Sequence, residues 1–367
     1  VEGFERGELS FFRVVRQILQ SKSGIFGEKF NETSRKKGLP IATALHRNKS
    51  ILNRGFFITS TTPITAYYEV IGQVPNNPKI FSLKGKNALG NVFYTPFQNL
   101  AENGTGITPT PFAAFDIVAT ENNTEVTITP TQALVGRPAN VPFTITLNRG
   151  QTYSGQSTSQ TANLRPTGTK IVSNKPIAVT IKDDLVNGGP LYGNFCRDLL
   201  GDQLVPVNKL GTRYVVHQGF LNGDEYAFVV ATQNETQITM DGTNVGTIDA
   251  GEMLNVKYGA GGHFIHSSAP VHVLQMSGTG CEIGGVLLPA LSCQGSDEVR
   301  FVRSTAEPFH LFLTTKNGNQ DGFALTRPMA TAKTTFSDLC PTRKADSLPS
   351  PLKFTAGGAK NCTQVLA

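Results

Sequence analysis

Residues Gly168 to Val179 read GTKIVSNKPIAV, and the same pattern, G-x-x-I-x-S-x-x-P-[IV]-x-[AV], occurs as GFFITSTTPITA from Gly55 and as GHFIHSSAPVHV from Gly262. Its physical content is a strand, a turn and a second strand. An alternating segment ends at the serine, and a proline opens the next segment, where its missing N–H costs no ladder bond. Recurrence of one such pattern three times marks internal repetition. A second pattern, ATENNTEVTI from Ala119 and ATQNETQITM from Ala231, reads in both copies as a hairpin with an Asn-containing turn after an apolar strand. The first two glycine–proline copies are 113 residues apart and the two hairpin copies 112 apart, so both belong to one unit. LNRG at Leu147 and IDAG at Ile248 add a strand and turn to that unit. GDQLVP from Gly201 and GVLLPA from Gly285 open the next one, and GNVFYTP from Gly90 is a looser copy.

Composition agrees with this reading. Only 16% of the 367 residues are charged, while Gly (37), Pro (21) and abundant Thr, Ser and Asn favour short strands joined by many turns. The expected fold is all-β, made of tandem repeated antiparallel β units that are β-sandwich-like, with a β-propeller as the alternative. A short N-terminal helix is expected over Leu9–Gln20, where Leu9, Phe12, Val15, Ile18 and Leu19 share one face. The chain then divides into a basic leader (1–54), a first β region (55–195), a second (196–330) and a linker or tail (331–367).

Net charge is +6, but its placement matters more than its size. Residues 1–54 carry 11 Lys/Arg against 5 Asp/Glu, and residues 55–367 carry 22 against 22. The body is therefore neutral, and nothing in it points to a phosphate-binding groove or a nucleic-acid partner. No apolar run is long enough for a transmembrane helix. The sequence begins at Val1 and shows no signal peptide, so a secreted or cell-surface location would rely on an export signal outside it. Six N-x-[ST] triplets, at Asn31, Asn48, Asn103, Asn122, Asn234 and Asn361, are expected by chance in so Thr-rich a chain.

Candidate chemistry is sparse. His263, His266 and His272 resemble a metal cluster, but a spacing of three on a strand puts the first two on opposite faces. Asp183 and Asp184 in IKDDLVNGG, with Asp198 and Asp202 in CRDLLGDQ, are the candidate metal ligands, and a structural calcium ion is the one cofactor they suggest. Turn capping and a salt bridge from Arg197 are the competing explanation. The same carboxylates are the only candidates for glycoside hydrolysis. GAGG from Gly259, SGTG from Ser277 and GKNALG from Gly85 lack the strand-to-helix context of a nucleotide loop, and no nucleophile elbow or H-E-x-x-H occurs. The five cysteines have no C-x-x-C spacing; Cys281 with Cys293 and Cys340 with Cys362 are the expected disulfide loops, leaving Cys196 as the odd thiol.

In combination, FDIVATENNTEVTITP from Phe115, FTITLNRGQTYS from Phe143, GTKIVSNKPIAVTIKDD from Gly168, CRDLLGDQLVPVNKLGTRYVV from Cys196, EYAFVVATQNETQIT from Glu225 and GCEIGGVLLPALSC from Gly280 resemble the N-terminal domain family named after the IgG Fc-binding protein, in its bacterial, Bacteroidetes-type branch. The resemblance covers about residues 51 to 325. It implies a non-catalytic extracellular module of a surface protein, of the kind that carries a gliding-motility-associated sorting domain. It supplies no catalytic or ligand residues and does not itself imply antibody binding. The expected function is adhesion to a glycan, mucin or protein ligand through loops such as Asn187–Asn194 and Asn317–Gly322. A glycan-active hydrolase and a structural spacer in a surface filament are the alternatives.

Overall fold

The computed structural model describes residues 51–59, 61, 66–71, 79–193 and 196–291, with short strands at 11–12, 298–301, 312–314, 323–326, 334–335, 352–356 and 364–366. Three strands form a small sheet in the order β1-β2-β3: β1 (Phe11–Phe12), β2 (Ala66–Ile71) and β3 (Lys79–Leu83). Seven form the next sheet: β4 (Gly90–Tyr94), β5 (Ala113–Ala119), β6 (Thr124–Thr129), β7 (Phe143–Leu147), β8 (Thr152–Gln156), β9 (Lys170–Asn187) and β10 (Arg197–Gln203). Eight form the third: β11 (Gly211–His217), β12 (Phe220–Leu221), β13 (Glu225–Ala231), β14 (Thr236–Met240), β15 (Thr243–Ile248), β16 (Met253–Tyr258), β17 (Gly262–Gly280) and β18 (Glu282–Leu287).

The two large sheets share one topology. The first runs β7-β6-β9-β5-β8 and the second β15-β14-β17-β13-β16, with β10 and β4 on β9 as β18 and β11 are on β17. Every pairing is antiparallel except that of the extra strand β12 with β17. This is the all-β, tandem-repeat architecture that the motifs predict. The propeller alternative is not what forms, because the strands gather into two large sheets and not into a ring of four-stranded blades. β10, which follows the division expected at 195/196, pairs with β9 and is part of the first large sheet. Most of the expected helix lies outside the described residues; Phe11 and Phe12, within it, pair as a strand with Ile71 and Val70.

The motifs act differently from the strand-turn-strand expectation. The third glycine–proline copy lies inside the 19-residue strand β17, and the second, from Lys170 on, inside the 18-residue strand β9. The serine marks a handover of neighbours: Ser173 and Ser267 each donate their hydroxyl to the carbonyl two residues on, at 2.7 Å in both cases. Before it, β9 pairs with β4 and β6; after it, with β5 and β10, β4 keeping one pair at Ile177. The hairpin motif and the N/D-x-G turn are one device. Asn122 accepts the Arg149 N–H (3.0 Å) and Asn148 accepts the Asn123 N–H (3.1 Å). Asn234 and Asp249 accept from Ala250 and Glu235 in the same way, at 3.1 and 2.8 Å. Asn123 (φ 53°) and Glu235 (φ 54°) sit at matching left-handed positions in the two turns.

The sheets stack. Along β13, Ala227, Val229 and Ala231 enter a core with Tyr214, Ile265 and Val273, whereas Phe228 faces the other way and joins Phe115, Ile117 and Ile181 of the first sheet. Leu274 and Met276 of β17 join that shared core as well. Burial on both faces explains why EYAFVVA is almost wholly apolar while β5, AAFDIVA, carries Asp116 on its outer face. Phe228, Leu274 and Met276, each exposed by 3% or less, would contribute about 1.5–3 kcal/mol apiece to holding the sheets together. The backbones approach closely at Gly168, where a Cβ would collide with the Gly251 carbonyl. Gly55 approaches Gly150 similarly, so one motif glycine packs on one turn glycine at both steps.

Candidate functional site

The four candidate carboxylates are placed by β9 and β10 but do not act together. Asp183 is 3% exposed and accepts from Arg165 Nε (2.6 Å), Gln98 Nε2 (2.9 Å) and Asn103 Nδ2 (2.8 Å). It is a core ion pair with both carboxylate oxygens hydrogen-bonded, and the adjoining cavity is only about 10 Å³, room for roughly one water. Asp184 points the other way, half-buried; burial lifts its carboxyl to about 6 while Lys182 draws it down. Lys182 itself bonds Asp116 at 2.6 Å.

Asp198 and Asp202 face β18 across the seam between the stacked sheets. Asp198 accepts the Ile283 N–H (2.8 Å) and Asp202 the Leu287 N–H (3.0 Å). Asp202 also takes the Lys84 ammonium at 2.6 Å. Burial is the main cause that raises Asp198 to about 7, and the neighbouring Glu282 adds to it. Burial likewise pushes the Lys79 ammonium down, against the pull of Asp202 and Asp198. These side chains cap the backbone of a neighbouring strand, which is a structural task. Calcium wants six to eight converging oxygens. Among the described residues, the only His, Cys, Asp or Glu trio whose donor atoms lie within 4.8 Å of one another is Cys196, Cys281 and Glu282.

The two sulfurs of that trio are bonded to each other. Cys281 pairs with Cys196, Cα atoms 5.6 Å apart, and not with Cys293, so Cys196 is not the odd thiol. The reason is the stacking: Cys196 immediately precedes β10 and Cys281 immediately precedes β18, and these strands lie side by side at the seam. Cys293, Cys340 and Cys362 lie outside the described residues.

The histidines are separate too. His263 holds Asp241 at 2.7 Å, His266 is exposed, and His272 is 1% exposed, with burial and then Lys84 taking its imidazole down to about 3. Asn103, in one of the N-x-[ST] triplets, is buried and spent on Asp183.

What the disulfide anchors is a loop cluster. The Gly188 N–H bonds the Cys196 carbonyl (3.1 Å) and closes the loop after β9, in which Gly189–Tyr192 forms a single helical turn, α1. The neighbouring loop, 218–224, is pinned from below by Glu225, which is fully buried and accepts the Gly219 N–H (2.8 Å) and Leu221 N–H (3.2 Å). The loops bind each other: Tyr192 Oη donates to the Asp224 carbonyl (3.0 Å) and Asn222 Nδ2 to the Tyr192 carbonyl (3.3 Å). On this braced base Leu191 and Phe220 stand 39% and 46% exposed, beside an exposed Lys257–Asp224 pair. Of the two loops expected from sequence, the described part of Asn187–Asn194, residues 187–193, is hydrogen-bonded into this cluster, and 317–322 lies outside the described residues. Phe220, Glu225 and Asp224 were not legible as site residues, because only the stacking brings their loop against the other.

A family model described as IgGFc binding protein matches residues 82–342, most of the chain and both large sheets. The chain belongs to that family. The family is a binding domain and not a known enzyme family. No curated protein and no solved structure matches the chain. Among the described residues no helix is long and apolar enough to cross a membrane.

Proposed function

We propose that the chain is an extracellular, non-catalytic adhesion module of a bacterial cell-surface protein, which recognises a glycan, mucin or protein ligand through the loop cluster of residues 187–193 and 218–224. The observation that carries this reading is the braced pair of loops with Leu191 and Phe220 outward. Large side chains held rigid cost little entropy to bind with, which is what a recognition surface needs. The carboxylates of the hydrolase alternative support it less, since Asp183 and Asp202 are occupied by Arg165 and Lys84. The experiment is incubation of the protein with immobilised mucin, scoring retained protein and released reducing sugar in the same wells. Saturable retention with no sugar above the blank is expected. Sugar release that disappears in Asp183→Asn or Asp202→Asn would establish the hydrolase instead.

A further inference from the structure

Loops 187–193 and 218–224 are both tied to the chain within a residue of the disulfide. In the first, the Gly188 N–H bonds the Cys196 carbonyl (3.1 Å), and a Cβ on Gly188 would stand 3.1 Å from the Cys281 carbonyl oxygen. That loop therefore touches both halves of the bridge. In the second, Phe220 and Leu221 pair with Thr279 and Gly280, and the Asn222 N–H bonds the Gly280 carbonyl (2.8 Å), one residue before Cys281. Glu225 holds the start of this loop, at Gly219 and Leu221. The contacts between the loops, Tyr192 with Asp224 and Asn222 with Tyr192, thus stand on a common base that one covalent bond fixes.

The bridge is also placed to be opened. Cys281 stands in the turn between Thr279 and Glu282, the last pair of β17 and β18, and both cysteines keep 8% exposure, so a small thiol has an approach from solvent. Glu282, itself exposed, sets Oε1 3.3 Å from the Cys196 sulfur. A disulfide sulfur has no proton to donate to that oxygen, whereas a Cys196 thiol does. The carboxylate therefore favours the reduced state, and stabilising the reduced state makes a disulfide easier to reduce.

We propose that the Cys196–Cys281 bridge is a reducible switch, which locks the two loops together when oxidised and frees them when a small thiol reduces it. As a control on ligand binding, this rests on the recognition role given to the cluster. In the exchange a thiolate attacks the Cys281 sulfur, the S–S bond breaks, and Cys196 takes up a proton and bonds Glu282. A second thiol then displaces the first from Cys281. The balance is two small thiols oxidised to one disulfide and two protein cysteines reduced to thiols. Gly188 and Asn222 lose their shared base, while β13, paired on both sides by β16 and β17, keeps its own.

Hydrogen exchange on the full 367-residue chain, in glutathione buffers stepped from oxidised to reduced, tests this, with free thiols counted by mass tagging. Reduction of the pair should speed exchange at Gly188 and Asn222 about tenfold or more, with residues 227–230 unchanged. Retention on immobilised mucin should fall in step. The double variant Cys196→Ser/Cys281→Ser should show the fast rates in every buffer. Glu282→Ala should need an about tenfold more reducing thiol ratio to reach half-reduction. A pair that stays oxidised in reduced glutathione, unchanged rates after verified reduction, faster exchange along β13 as well, or equal retention of both forms would each overturn the proposal. So would an unshifted Glu282→Ala midpoint, or a double variant that still responds to glutathione and so places the response in other cysteines. If neither form is retained on mucin, it is the recognition role that fails, and the exchange rates still decide the switch.

Discussion

Asp198 lies in the seam with one carboxylate oxygen on the Ile283 N–H, Glu282 beside it and the Lys79 ammonium nearby. Its folded value of about 7 stands above the ordinary 3.8, so the folded protein keeps a proton that the unfolded chain gives up. Stability from this group is therefore fully present below the unfolded value and is lost as pH rises through about 7. Urea midpoints at pH 5 and pH 8 should show this share of the difference disappearing in Asp198→Asn. A variant whose pH dependence matches the unmodified protein would remove the assignment. His272, neutral and buried at about 3, works in the opposite sense, favouring the fold above the unfolded histidine value and losing that contribution as pH falls. At this scale the sequence was least informative. Asp183, Asp184, Asp198 and Asp202 look alike in a row of letters, and only the side of the strand each occupies separates a core ion pair from a seam cap.

Elements were legible where local hydrogen bonds make them and illegible where stacking does. The hairpin around Asn122 and its copy around Asn234 could be read, because the Asn side chains that close them are part of the repeated pattern. The serine–proline step reads as a turn, but the Ser173 hydroxyl bonds the Lys175 carbonyl locally and β9 continues through it as one strand. Short spacing favours Cys293 as the partner of Cys281, whereas the stack joins cysteines separated by 85 residues. That bridge closes the loop base at Cys196 and links the two large sheets. The double variant Cys196→Ser/Cys281→Ser should lose about 2–5 kcal/mol of unfolding free energy, measured by urea denaturation. Unchanged stability would mean that the β10–β18 seam holds without it.

For the molecule as a whole, the sheets stack so that the inner face of the first is closed by Phe228, Leu274 and Met276 of the second. Repetition and β composition announced such a fold, but which faces meet depends on residues more than 100 positions apart. The consequence for function is that loops from different sheets, 187–193 and 218–224, meet and stiffen each other. The most direct test of the claim that this cluster is the binding surface is equilibrium retention on immobilised mucin of the unmodified protein against Leu191→Ser/Phe220→Ser. Retention of the variant should be at least about tenfold weaker with an unchanged urea midpoint. Equal retention by the two proteins would contradict it.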